Sequence, residues 1–176
     1  QTGLIDQFVD TDEEAMLALR EFISFMPNHN GELPPDAPIP DGSGSNQDQI
    51  LEILPENRTQ VYNIKKIINV IVDINSFFEI KPRFGKSLVV GLARLQGKVV
   101  GIIANNPIVG GGALSADACR KAVDFTVLCD SFNIPIIRFM DTPGFVVGTE
   151  AERRGAPGWI MNFMNATCLT TVPSIT

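Results

Sequence analysis

Asp141-Thr-Pro-Gly-Phe-Val-Val-Gly148 follows the apolar run Ile134–Met140 and leads into the charged stretch Glu150–Arg154. An acid at the end of an apolar strand, followed by glycine-spaced turns, suits three chemistries. It can meet magnesium and a phosphate, it can bring backbone N–H groups up to a ligand, or it can simply close the strand. The phosphate reading draws support from Gly85-Lys86-Ser87 upstream. It fails on two counts. A phosphate loop needs an earlier glycine, and Ile80 stands there. The lysine-serine pair must also open a helix whose N-terminal dipole holds the anion, whereas Ser87 opens a β-rich run. No Asn-Lys-x-Asp base-reading motif is present.

Gly110-Gly111-Gly112 precedes a helix but does not fit the dinucleotide fingerprint, so it reads as a tight turn needing positive φ. No Gly-x-Ser-x-Gly nucleophile motif occurs, and the single histidine, His29, lies in a Pro-rich loop. One histidine is too few for a histidine-based metal site, so no metal is expected. Cys119 and Cys129 fall on an apolar helix face and read as core residues. What is left is a glycine pattern without an evident acid, base or nucleophile. Such a site can work through backbone N–H groups, which stabilise a developing oxyanion without a titrating side chain.

Several elements must position those turns. Thr11 with Glu14 forms a capping-box pattern, Leu17, Leu19, Phe22, Ile23 and Met26 make an apolar side, and Pro27 stops the helix. Residues 28–47 are rich in Pro, Gly, Asn and Asp and read as a loop or linker. Ile64, Ile67, Ile68, Ile71 and Val72 recur at helical spacing within 59–80. Residues 87–105 form two apolar runs around Gln96-Gly97, a hairpin signal. Ser115 is a plausible N-cap for a helix whose Ala118, Ala122, Phe125 and Cys129 share a side. Ile134–Asp141 reads as a buried strand, Gly155–Cys168 as a helix, and Thr170–Thr176 as the opening of another strand. The order strand, strand, helix, strand, helix, strand is an α/β pattern without a repeat of fixed period.

The bulk numbers set limits. The chain has 176 residues and 44% hydrophobic content, enough for one domain with a real core. A net charge of −6 argues against a nucleic-acid surface. No apolar run reaches membrane-spanning length, and no signal-peptide pattern opens the chain. Three cysteines without CxxC spacing read as reduced thiols of a cytosolic protein. Gln1 as first residue and the strand beginning at the C-terminus suggest a trimmed piece of a longer chain.

Residues 84–107 and 120–152 together resemble the carboxyltransferase (beta) subunits of biotin-dependent acyl-CoA carboxylases of the propionyl-, methylcrotonyl- and acetyl-CoA types. The matching features, in order, are Gly91-x-Ala93-Arg94, Val100-Gly101-Ile102, Asn105-x-Pro107, Cys129-Asp130, Phe132–Ile137 and Asp141-x-Pro-Gly-Phe-x-x-Gly148. The resemblance extends through residues 2–27 and 54–80, so nearly the whole chain is covered.

The resemblance implies a crotonase-like spiral of strand-strand-helix repeats, truncated here. Residues 1–27 would be the tail of the N-terminal carboxyltransferase domain, 28–58 a Pro/Gly-rich linker, and 59–176 a C-terminal domain incomplete at its end. It further implies carboxyl transfer from carboxybiotin to the α-carbon of an acyl-CoA. Biotin would arrive on a separate carrier domain or subunit. Partners would include the biotin carboxyl carrier, a biotin carboxylase subunit and further carboxyltransferase subunits in a homo-oligomer, in the cytoplasm or a mitochondrial matrix. No nucleic acid or membrane partner is implied.

Gly144, Phe145, Val147 and Gly148 would line the biotin pocket, the alternative being a turn that only closes its strand. Asn105, Pro107 and Asp141 would shape the same cleft, against simple turn chemistry. Arg153 and Arg154 would meet a CoA phosphate or the carrier, or form a solvated pair. Trp159 stands where a smaller or charged residue is expected. The family's Gly-Gly-Ala oxyanion turn would follow Thr176, so the chain alone is expected to be inactive and its open sheet edge to favour self-association. A decarboxylase of the same fold and a non-catalytic assembly module are the competing readings.

Overall fold

The computed structural model describes residues 2–45, 48–57 and 60–176. Its centre is a five-stranded sheet in the order β1 to β5: Phe78–Ile80, Leu88–Leu95, Lys98–Asn105, Ile136–Phe139 and Ser174–Ile175. β1, β2 and β3 pair antiparallel, and β3, β4 and β5 pair parallel. Antiparallel neighbours need only a tight turn, whereas parallel neighbours need a crossover. α4 (Ala116–Ser131) supplies the crossover from β3 to β4, and α6 (Ala156–Leu169) the one from β4 to β5.

β2 and β3 are buried on both faces, which explains their nearly unbroken apolar runs. Leu88, Val90, Leu92, Val99 and Ile103 join Ala118, Ala122, Phe125 and Cys129 of α4 in one core cluster. Val89, Ala93, Val100, Ile102 and Ala104 meet Ile64, Ile67 and Ile68 of α3 (Ile64–Ile71) on the other. Each Val, Leu, Ile or Phe among them, fully buried, contributes about 1.5–3 kcal/mol. A Cβ on Gly101 would lie 2.6 Å from the Cys129 sulfur, so α4 rests directly on β3 there.

The hairpin turn falls at Gln96 and Gly97, both with positive φ (52° and 78°), as the two-residue spacing predicts. Its N–H groups donate to the buried Asp73 carboxylate at 3.0 and 2.7 Å. Arg94 donates to the carbonyls of Ser24 (2.6 Å) and Pro35 (2.9 Å) and stacks over Phe25, tying the N-terminal third to this hairpin.

Some expectations change. α1 (Asp12–Ser24) is capped by Thr11, but Glu14 accepts from the N–H of Asp10, one residue earlier than a capping box requires. Of its apolar side only Phe22 and Met26 pack on the core, with Ala18; Leu17, Leu19 and Ile23 are exposed. The helical stretch within 59–80 ends at Ile71, and Phe78–Ile80 is an edge strand. Within the linker reading, Gln49–Ile53 is a short helix, α2. Residues 46, 47, 58 and 59, which include the linker's C-terminal bound, lie outside the described residues, as does Gln1. Among the described residues no helix is long and apolar enough to cross a membrane.

Candidate active site

β3 and β4 run parallel and end at the same edge of the sheet, and the loops leaving them meet there. Asn105, the last residue of β3, is only 1% exposed. Its side-chain amide donates to the carbonyl of Gly112 at 3.0 Å, and its carbonyl oxygen accepts from the N–H of Asp141 at 3.3 Å. A buried amide that satisfies both neighbours is costly to replace, since each orphaned partner loses about 1–3 kcal/mol. Leu114 and Phe145 then form a parallel bridge: Leu114 N–H donates to Gly144 O and Val146 N–H to Leu114 O, both at 2.9 Å. The two loops are thus one unit.

Gly110, Gly111 and Gly112 have φ of 59°, 64° and 78°, the positive-φ turn expected from three glycines. At Gly112 the reason is also steric, because a Cβ would lie 2.5 Å from the Asp141 carbonyl oxygen. At Gly110, Gly111, Gly144 and Gly148 a Cβ would meet nothing within 4 Å, so the backbone there fronts open space. Gly144 and Gly148 have φ of 119° and 118°, a region that side chains rarely adopt. The Gly144 N–H is taken by the Thr142 hydroxyl at 3.1 Å. No acceptor among the described residues takes the N–H of Gly110, Gly111, Phe145 or Val147. Phe145 is 37% exposed and Val147 is 88% exposed, so both lie at the surface of the turn. Pro107, two residues past the end of β3, is buried.

Asp141 is exposed, and its carboxylate accepts from the Tyr62 hydroxyl at 2.7 Å. Tyr62 has no signal in the sequence: it lies 79 positions from Asp141 and belongs to no periodic pattern. Arg154 pairs with Glu150 (3.3 Å), in the short helix α5 (Thr149–Arg153), and with Asp117 (3.5 Å) in the first turn of α4. Trp159 packs half-buried against the core, with the Arg120 guanidinium 5.6 Å over its ring, which accounts for a large aromatic at that position.

Burial and the bond to Asp141 push the Tyr62 hydroxyl up to about 12, so it stays a donor. Cys119, Cys129 and Lys121 are perturbed too, but they lie on α4, away from the turns. Burial raises the Cys119 thiol to about 11 and pushes Cys129 higher still, which makes both poor nucleophiles. Burial lowers Lys121 to about 8. Its ammonium, 1% exposed, holds the carbonyls of Phe84 and Leu88 at 3.1 and 2.9 Å and so braces the turn before β2. A largely apolar cavity of about 500 Å³ between α1, β1 and α4 includes Lys121 in its wall but none of the glycine-turn residues. The glycine edge therefore offers backbone donors rather than acids or bases. Among the described residues no cluster of three His, Cys, Asp or Glu side chains could hold a metal.

Residues 1–176 match the carboxyl transferase domain model. The carboxyltransferase subunit of propionyl-CoA carboxylase from Haloferax mediterranei is 38% identical over 99% of this chain and 34% of its own length. The mitochondrial propionyl-CoA carboxylase beta chain of Mus musculus is 36% identical over 99% of this chain and 32% of its own. Among solved structures, a transcarboxylase 12S hexamer with hydrolysed methylmalonyl-CoA bound superposes with a TM-score of 0.93 at 33% identity, covering 99% of this chain and 34% of that one. A single-chain long-chain acyl-CoA carboxylase matches with a TM-score of 0.85 at 31% identity, over 98% of this chain and 17% of that one. This chain spans about a third of the length of the curated relatives it matches.

Proposed function

The chain belongs to the carboxyl transferase family, with its crotonase-like α/β fold, and from that premise we propose that it carries the biotin-facing part of an acyl-CoA carboxyltransferase. The observation behind this reading is the paired glycine turns, with open space beside Gly110, Gly111, Gly144 and Gly148 and unengaged N–H groups between them. Glycine lets a ring lie against backbone where any Cβ would intervene. The turns therefore fit the ureido ring of biotin, which supplies the activated carboxyl group when bound.

In this reading each part of the edge has one task. The N–H groups of Phe145 and Val147, with those of Gly110 and Gly111, would hold the ureido group of biotin by hydrogen bonds. Donors fixed before reaction need no reorganisation, and removing one such donor from an enzyme costs roughly a hundredfold or more in rate. The half-exposed Phe145 ring covers the apolar side of the bicycle. Asn105, Pro107 and Asp141 hold the two turns in register.

The remaining assignments are part of the same proposal. Residues 1–27, 28–58 and 59–176 are an N-terminal-domain tail, a linker and an incomplete C-terminal domain. The partners are a biotin carboxyl carrier, a biotin carboxylase subunit and further copies of the subunit. The compartment is the cytoplasm or the mitochondrial matrix, in line with the mitochondrial relative.

The test is carboxyl transfer between a carboxylated acyl-CoA and biocytin by the full-length subunit that carries this chain. Biocytin-dependent turnover is expected, and a Gly144→Val variant should lose it while keeping the wild-type melting temperature to within a few degrees. Unchanged turnover in the variant removes the pocket role.

A further inference from the structure

Asp141 is held on three sides. Its N–H donates to buried Asn105 at 3.3 Å. Its carbonyl oxygen lies where only glycine fits at position 112. Its carboxylate accepts from Tyr62 at 2.7 Å. The first two contacts come from the loop that leaves β3. The third comes from a different part of the chain, the segment entering α3.

The Tyr62 ring is not free to wander. It is half-buried and packs on the second core cluster alongside Ile50 and Ile53 of α2. Asn63, the next residue, caps α3 by accepting from the N–H of Lys65 at 3.0 Å. A ring fixed by packing and by a helix cap presents its hydroxyl at one place. An exposed hydrogen bond between mobile groups contributes little; this one ties Asp141, already bonded at its N–H to Asn105, to a second and separately packed part of the chain. Three residues later the backbone reaches Gly144 and the paired turns.

We propose that Tyr62 is a positioning residue, whose hydrogen bond to Asp141 latches the exit of β4 and so sets the orientation of the Gly144–Gly148 turn toward biotin. This rests on the reading of that turn as the biotin-facing edge. In it the Asp141 carboxylate acts only as a hydrogen-bond acceptor, neither a base nor a ligand, and the latch joins α2 and the start of α3 to the reacting edge.

The test uses the full-length subunit that carries this chain, with Tyr62→Phe, Asp141→Asn, Asp141→Ala and the Tyr62→Phe/Asp141→Ala double variant. Losing the latch should raise the KM for biocytin about fivefold, the equivalent of one net hydrogen bond, with the KM for acyl-CoA unchanged. Asp141→Asn keeps an oxygen acceptor and should stay within about twofold of wild type. Asp141→Ala should match Tyr62→Phe, and the double variant should be no worse than either, since partners in one contact are not additive. Unchanged KM in Tyr62→Phe, additive losses, or an Asp141→Asn defect as large as that of Asp141→Ala overturns the proposal.

Amide hydrogen exchange separates this from the parent reading. If wild type shows no biocytin-dependent transfer, the biotin assignment fails by itself. The latch is then judged on the Val146 N–H, which Tyr62→Phe should expose to faster exchange through loosening of its bond to Leu114. No change there overturns the latch whatever the activity.

Discussion

Asn105 donates from its side-chain amide to the carbonyl of Gly112 at 3.0 Å, from a position 1% exposed. That one bond joins the end of β3 to the last glycine of the 110–112 turn. Because the same side chain also accepts from Asp141, two loops separated by all of α4 share one buried polar group. Asn105→Leu keeps the volume but orphans both partners. It is expected to destabilise the fold by about 2 kcal/mol or more, seen as a lower midpoint in urea denaturation, and to abolish biocytin-dependent turnover in the full-length subunit. A midpoint equal to wild type would show that the bridge carries no weight.

Gly112 tests the same junction from the other side. Its φ of 78° and the 2.5 Å separation of a built Cβ from the Asp141 oxygen make Gly112→Ala both strained and clashing. A loss of about 2–3 kcal/mol is expected, at the upper end for backbone strain at one residue. By contrast, Gly110→Ala meets no neighbour within 4 Å and has only its φ of 59° to contend with. It should cost about 1 kcal/mol. Equal effects at the two positions, read by thermal unfolding, would contradict the packing described.

Lys121 gives a pH prediction. Burial lowers its pKa to about 8, from the ordinary lysine value of 10.5. The unfolded chain therefore binds more protons between pH 8 and pH 10.5, so this group adds stability as pH rises through that window. A neutral amine keeps two N–H donors, matching the two carbonyls of Phe84 and Leu88. Relative to a Lys121→Met variant, the wild type should gain stability on going from pH 8 to pH 10. The comparison cancels the opposing contribution of Cys119, which burial raises to about 11. A difference that stays flat or shrinks would place the ammonium in water.

Gly101 tests the sheet-to-helix contact that positions the α4 crossover. A side chain there would meet the Cys129 sulfur at 2.6 Å and the Phe125 ring at 3.2 Å. Gly101→Val should destabilise by about 1–3 kcal/mol, as overpacking of a filled core does, and Cys129→Ala in the same chain should recover part of the loss.

Local chemistry was the legible part of this fold. Gln96-Gly97 predicted its hairpin, Ser115 its cap and the three consecutive glycines their positive φ, because each signal is contained in a few neighbouring residues. β1 is not legible, because Phe78–Ile80 is only three residues long and carries no period of its own. The side of α1 was misread at Leu17, Leu19 and Ile23 because periodicity reports which residues are apolar, not what lies against them. At the candidate site the glycine turns and Asn105 were visible as motifs. Their joining was not, and neither was Tyr62, since a hydrogen bond across 79 residues leaves no local trace. Asp73, whose carboxylate holds the hairpin turn, was hidden for the same reason.

The most direct measurement is amide hydrogen exchange of the full-length subunit that carries this chain, with and without saturating biocytin. The N–H groups of Gly110, Gly111, Phe145 and Val147 have no acceptor among the described residues, so biocytin should slow their exchange while leaving α1 unchanged. Exchange at these four positions that is indifferent to biocytin would contradict it.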